Sequence, residues 1–228
     1  MTIFPVLPRS HFGCRDPGMR RGREHSRGSV MLLTNTLTAY HSTVKTPLPT
    51  RNPTPAQLLA ANDKTIPDII ARNLQVLFCG INPGLWSGAT GHHFARPGNR
   101  FWPALHAGGF TPRVLKPFEE TELLDYGCGI TSFVNRATAT AAELSDAELI
   151  EGALRLQKTV RKYRPAMLAI LGIGAYRTGF GRKNAALGLQ AQTIGETRIW
   201  VLPNPSGLNA HQTPASLAKL FAELRNAC

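Results

Sequence analysis

A chain of 228 residues holds one α/β domain with a tail, or two small domains, and no larger array. Its 26 Lys and Arg against 14 Asp and Glu give a formal net charge of +12, which fits a polyanionic partner, with a basic solvated surface as the plainer alternative. Cys14, Cys79, Cys128 and Cys228 are far apart and show no C-x-x-C spacing, which argues against a zinc or iron–sulfur site, and no apolar stretch approaches the ~20 residues of a membrane span.

Residues 1–55 read as a basic, Pro- and Gly-containing tail. Within residues 1–60 there are eight Lys or Arg and two acids, a net +6; the rest of the chain carries 18 and 12, also net +6, so the expected folded part is basic in its own right. The segment Thr46-Pro-Leu-Pro-Thr-Arg-Asn-Pro-Thr-Pro55 resists a helix, because each proline removes a donor and restricts its predecessor. The first ten residues lack the apolar core of a signal peptide, and Met31 is a second candidate initiator. The unpaired cysteine usage points to a reducing, cytoplasmic setting.

Residues 56–228 read as a single domain in which strands and helices alternate. Residues 74–81 are an apolar run bounded by turn formers, the pattern of a buried strand. Residues 99–107 predict a short helix stopped by Gly108-Gly109, and residues 127–134 a second strand. Ser145-Asp-Ala-Glu148 is a capping box opening a helix to Tyr163, just before Arg164-Pro165. Residues 166–172 are continuously apolar, as central parallel strands are. A short helix at 175–180, strands at 193–195 and 198–202, and a closing helix at 214–226 complete the order. This succession predicts an α/β fold, a mostly parallel sheet with helices on both faces.

Two strands end in loops of one kind: Gly80-Ile-Asn-Pro-Gly84 and Asn204-Pro-Ser-Gly-Leu208. Open α/β sheets bind ligands beyond the carboxyl ends of their strands, so two such loops at one edge would make a site. The first loop reads either as a structural turn or as a backbone cradle for an anion. The absence of G-x-G-x-x-G and of G-x-x-x-x-G-K-[ST] argues against dinucleotide or nucleoside triphosphate binding. Leu208 reads either as a satellite core contact or as an apolar tip able to wedge into a base stack.

Taken together, Gly80-Ile-Asn-Pro-Gly84, Gly91-His-His-Phe-Ala-Arg-Pro-Gly-Asn-Arg-Phe-Trp102, Leu123-Leu-Asp-Tyr-Gly-Cys-Gly-Ile-Thr131 and Leu202-Pro-Asn-Pro-Ser-Gly-Leu208 resemble the mismatch-specific uracil/thymine DNA glycosylases of the uracil-DNA glycosylase superfamily. The resemblance runs in order from about Leu74 to about Leu224. It implies a three-layer α/β/α domain that flips uracil, and to some extent thymine or other damaged pyrimidines, out of mispairs with guanine in double-stranded DNA. It implies that Phe94 stacks on the flipped base and that groups around Ile81 and Asn82 bond its edge. Asn82 takes the catalytic position; an amide cannot accept a proton, so it orients the attacking water. Asn204, Pro205, Ser206, Gly207 and Leu208 match the intercalation loop, with Gly207 and Asn209 near the opposite guanine.

The chain departs from the family at two places. Asn209-Ala-His-Gln-Thr-Pro214 replaces a shorter, more basic continuation, in the segment the resemblance assigns to guanine readout. Ser132 stands near the pocket, where the family often carries Lys or Asn. Asp125 is the acid nearest the pocket motifs in the chain: either a carboxylate that activates the water or a turn ligand. Ser87 and Arg96 read as phosphate contacts or as surface groups, and His92 and His93 as pocket-mouth groups or solvated loop residues. No Lys follows the motifs in a position that suggests a Schiff-base nucleophile, so a monofunctional enzyme is expected; no metal or cofactor is implied, and a monomer is the default because one lesion needs one pocket. The competing readings are a mismatch or abasic-site binding module with little turnover, and a single-strand or RNA-binding protein working through its tail.

Overall fold

The computed structural model describes residues 52–207 and 212–228; the expected tail lies outside them except at residues 52–55. Five strands make one sheet in the order β2-β1-β3-β5-β4: β1 Val76–Gly80, β2 Cys128–Ser132, β3 Met167–Leu171, β4 Gly188–Ile194 and β5 Thr197–Leu202. The first four in that order are parallel, and β4 returns antiparallel along β5. The register aligns their carboxyl ends, with Gly80 opposite Ser132 and Leu171 opposite Leu202. Among the described residues six α-helices accompany it: α1 Pro55–Leu59, α2 Leu85–Thr90, α3 Phe101–Ala107, α4 Asp146–Tyr163, α5 Ile173–Gly179 and α6 Pro214–Ala227.

Every residue of β1, β2 and β3 is buried, because helices cover both faces. Alternate side chains divide between two cores. Phe78, Ile130, Ala169 and Leu202 meet Phe101 and Leu105 of α3 and Leu217 and Phe221 of α6. Leu77, Cys79, Ile170 and Val201 meet Ala153, Leu156 and Val160 of α4 and Tyr176 of α5. The result is the three-layer α/β/α arrangement expected, with the capping box at Ser145 and Glu148 opening α4.

The structure differs from the sequence expectation mainly at the edges. Strand β4 starts at Gly188, where only residues 193–195 were expected. It is an edge strand with one face in solvent, so its polar alternation carries no continuous apolar signal. The Gly80–Gly84 loop runs directly into the unexpected helix α2. Residues Pro117–Tyr126 wind as a 3-10 segment before β2. Among the described residues no helix is long and apolar enough to cross a membrane.

Candidate active site

The carboxyl ends of the parallel strands close around a cavity of about 180 Å³. That is below the roughly 300–1,000 Å³ of a drug-sized ligand site and suits a group the size of one base. Its lining comes from Gly80 to Gly84 after β1, Ser132 at the end of β2, Leu171 at the end of β3, and Asn204 and Ser206 after β5. Ser87, His93, Phe94, Arg96 and Asn99 close one side, and Thr138 to Ala141 the other. A wider groove of about 700 Å³ beside α5 and β4, lined by Tyr176, Arg182 and Gln192, gathers no strand ends.

Asn82 is held by its amide nitrogen. Nδ2 donates to the Arg136 carbonyl at 3.0 Å and to Thr138 Oγ1 at 2.7 Å. The Thr138 hydroxyl donates in turn to the Thr140 carbonyl at 2.8 Å, so it has only a lone pair to offer Asn82. Both partners are acceptors, which fixes the amide with Oδ1 as its remaining acceptor. Behind it the Arg136 guanidinium grips both oxygens of Glu148, at 2.6 and 3.2 Å, and Asp63 at 3.2 Å. This pairing holds the Glu148 carboxyl down from 4.5 to about 2, with the Ser145 capping bonds adding to the effect.

Phe94 sits across the cavity with φ +52°, a left-handed conformation that costs a non-glycine residue about 1–2 kcal/mol. Its ring lies on Phe101 at 4.1 Å between centroids and 23° between planes. Phe101 is fully buried and edge-on to Phe78 of β1, so the core backs the half-buried Phe94 ring. The bonds flanking Phe94 come from side chains: Glu120 Oε2 accepts the His93 N–H at 2.7 Å, and Ser87 Oγ accepts the Ala95 N–H at 3.4 Å. Glu120 Oε1 pairs with His92 Nδ1 at 2.9 Å, and His93 Nε2 meets the Pro67 carbonyl at 3.0 Å. Burial, partly countered by Glu120, lowers the His93 pKa and favours a neutral ring.

Ser132 is buried at the pocket floor, and Arg155 of α4 holds its carbonyl at 2.6 Å. In the loop after β5, Asn204 Oδ1 accepts the Ser206 N–H at 2.9 Å, and the Pro205 carbonyl accepts the Arg100 N–H at 3.0 Å. Gly207 packs on the neighbouring loop so closely that a Cβ there would lie 2.5 Å from the Gly98 carbonyl oxygen. The Arg100 guanidinium reaches the carbonyls of Gly207 and Gln212, on either side of residues 208–211.

The fold thus brings Ile81, Asn82, Ser87, Phe94, Arg96, Ser132, Asn204 and Ser206 to one cavity, with Pro205 and Gly207 in the adjoining loop. Leu208 and Asn209 lie outside the described residues. Asp125 does not join them. It is exposed in the 3-10 segment before β2, while Ser132 ends that strand. The four steps of β2, at about 3.3 Å each, separate its two ends by roughly 13 Å, and Asp125 lies beyond the amino end while the cavity lies at the carboxyl end. The histidines are not solvated loop groups: His93 is 3 % exposed and His92 is paired with Glu120. Ser87 is buried with its hydroxyl on the Ala95 N–H, not standing at the surface. Sequence reasoning missed Thr138, which carries no motif, and Glu120, which looks in sequence like its neighbours Glu119 and Glu122. Among the described residues no cluster of three His, Cys, Asp or Glu is arranged to hold a metal ion.

The profile of the Uracil DNA glycosylase superfamily matches residues 67–225, well over half the chain and every strand of this cavity. The chain belongs to the uracil DNA glycosylase superfamily. It is also similar, at 17% identity, to the solution structure of a Methanosarcina acetivorans protein provisionally designated a uracil DNA glycosylase; the match covers 72% of this chain and 98% of that one, with a TM-score of 0.49. Uracil DNA glycosylases hydrolyse the N-glycosyl bond between base and deoxyribose, so a DNA repair glycosylase is what the superfamily makes of this chain. For a uracil DNA glycosylase the placement of Asn82 is informative. The cavity holds no carboxylate among its described lining residues.

Proposed function

We propose that the chain is a monofunctional DNA glycosylase that flips uracil, and also thymine or other damaged pyrimidines, out of mispairs with guanine and leaves an abasic site by hydrolysis. The observation that carries this reading is the anchoring of Asn82. With both amide protons engaged by Arg136 and Thr138, Oδ1 is the group that can accept a bond from a water and aim it at the sugar carbon. The flipped base enters the cavity and stacks on Phe94. Backbone groups around Ile81, Asn82 and Phe94 bond its edge and stabilise the departing pyrimidine anion. The glycosidic bond opens through an oxocarbenium-like state, which the DNA's phosphates help to stabilise, and water then adds, giving up its proton to the departed pyrimidine anion. An amide cannot remove a proton, so the chemistry is slow and favours good leaving groups.

Lysine is absent from the described lining of the cavity, which supports hydrolysis over a Schiff-base elimination. One chain supplies every group this reading uses, so it acts as a monomer. Asp125, at the far edge of the sheet, takes no part, and Leu208 fills the gap left by the flipped base.

The test uses end-labelled duplexes carrying uracil opposite guanine, uracil opposite adenine or thymine opposite guanine, with single-stranded uracil alongside, and alkali to reveal abasic sites. The expected result is cleavage strongest opposite guanine, lost in Asn82→Ala and unchanged in Asp125→Ala. Tight binding to mismatched duplex without cleavage of any substrate would leave a recognition module instead.

A further inference from the structure

Glu120 is 5 % exposed and lies outside the chemistry just described. Burying a carboxylate is unfavourable unless it is paired and hydrogen-bonded, so its retention asks for a reason. Its two neighbours in the 3-10 segment, Glu119 and Glu122, both reach Arg113 at the surface. Glu120 alone of the three turns inward, and its oxygens have separate tasks: Oε2 accepts the His93 N–H at 2.7 Å and Oε1 accepts from His92 Nδ1 at 2.9 Å. Both partners immediately precede Phe94, whose backbone sits at φ +52°. On the other side of Phe94 the Ala95 N–H donates to Ser87 Oγ at the longer distance of 3.4 Å.

We propose that Glu120 is a positioning residue for the base-stacking face: it fixes the two residues before Phe94 and so holds that ring, in its strained conformation, where a flipped base meets it. The proposal rests on the reading of Phe94 as that face. The Phe101 stack, at 4.1 Å between centroids, holds the ring from behind. The charge-assisted bond to the His93 N–H sets the backbone from which the ring projects. Glu120 is not among the described lining residues of the cavity, so its effect reaches the reaction through the ring it helps to place.

The experiment compares the full chain with Glu120→Ala, Glu120→Gln, Phe94→Ala and the double variant Glu120→Ala/Phe94→Ala. Two affinities are measured, for a duplex holding a non-cleavable 2′-fluoro-deoxyuridine opposite guanine and for one holding a tetrahydrofuran abasic site, together with single-turnover excision of uracil. Glu120→Ala is expected to lower excision about 10- to 100-fold, the range in which small misplacements act. It should weaken the uracil duplex and leave the abasic duplex, which has no base to stack, unchanged. Glu120→Gln, which keeps an oxygen for the His93 N–H, should fall between wild type and Glu120→Ala. In the Phe94→Ala background the Glu120 change should add nothing. Equal loss of both affinities, or an undiminished Glu120 effect without the Phe94 ring, would overturn the proposal. If Glu120→Ala does not fold, Glu120→Gln and its double variant with Phe94→Ala give the same contrast. A wild type that binds both duplexes but excises nothing refutes the proposed function instead, and the ratio of affinities still reads Glu120.

Discussion

Replacing Thr138 by valine keeps the shape of the side chain and removes one hydroxyl. That hydroxyl is 1 % exposed as part of its residue, accepts from Asn82 Nδ2 at 2.7 Å and donates to the Thr140 carbonyl at 2.8 Å. The valine would leave one amide proton of Asn82 without a partner, a cost of about 1–3 kcal/mol when buried, while the Thr140 carbonyl keeps its bond from the Glu143 N–H. Asn82 would then hang from the Arg136 carbonyl alone, at 3.0 Å, and the amide could rotate about that single bond. A misplacement of about 1 Å in an attacking group lowers a rate by up to about 100-fold. That factor corresponds to about 2.7 kcal/mol in the barrier, of the same size as the lost hydrogen bonds. The expected outcome is therefore a 10- to 100-fold slower single-turnover excision of uracil opposite guanine in Thr138→Val. Thr138→Ser, which keeps the hydroxyl, should stay near wild type. Against an Asn82→Ala background the valine should cost little more, because the group it orients is gone. Wild-type excision by Thr138→Val, or a full further loss in the Asn82→Ala background, would refute the anchoring argument.

Gly207→Ala would press a Cβ to within 2.5 Å of the Gly98 carbonyl, which is backbone and cannot turn aside. The two loops must separate, so affinity for mismatched duplex should fall while the melting temperature, set by the distant core, changes little; fluorescence anisotropy with a thermal melt checks both. Glu148→Gln tests the electrostatic frame behind Asn82. The carboxyl of Glu148 is held below its ordinary value, at about 2 instead of 4.5, chiefly by Arg136. Its contribution to stability is therefore complete above about pH 5 and disappears as pH falls from 4.5 toward 2. Melting curves should show wild type above Glu148→Gln at pH 7, with the gap closing below pH 4.5 and absent near pH 2; a gap independent of pH would refute the pairing.

The strands that frame the site were legible because their signal is local. Residues 76–80 and 167–171 are apolar throughout, and a strand covered on both faces needs nothing more to declare itself. The α4 start was legible for the same reason, since Ser145 and Glu148 satisfy each other's backbone within one turn. Strand β4 was not, because an edge strand with a wet face carries no apolar run, and its place comes from pairing with β5. The motif residues Asn82, Phe94 and Asn204 could be named from the chain, while Asp125 could be named only by closeness in sequence. Closeness in sequence misleads at a strand, which carries its two ends to opposite edges of the sheet.

By itself, then, the sequence determined a basic α/β chain with polar loops after its strands, because composition, periodicity and capping act over a few residues. Only the tertiary structure decided that Thr138 and the Arg136 carbonyl, 54 to 56 residues beyond Asn82, would hold its amide, and that Glu120 would turn inward beneath His93. Those bonds depend on β1 pairing with β2 in one register, which sets the loop after β2 against the loop after β1, and no local pattern carries that register.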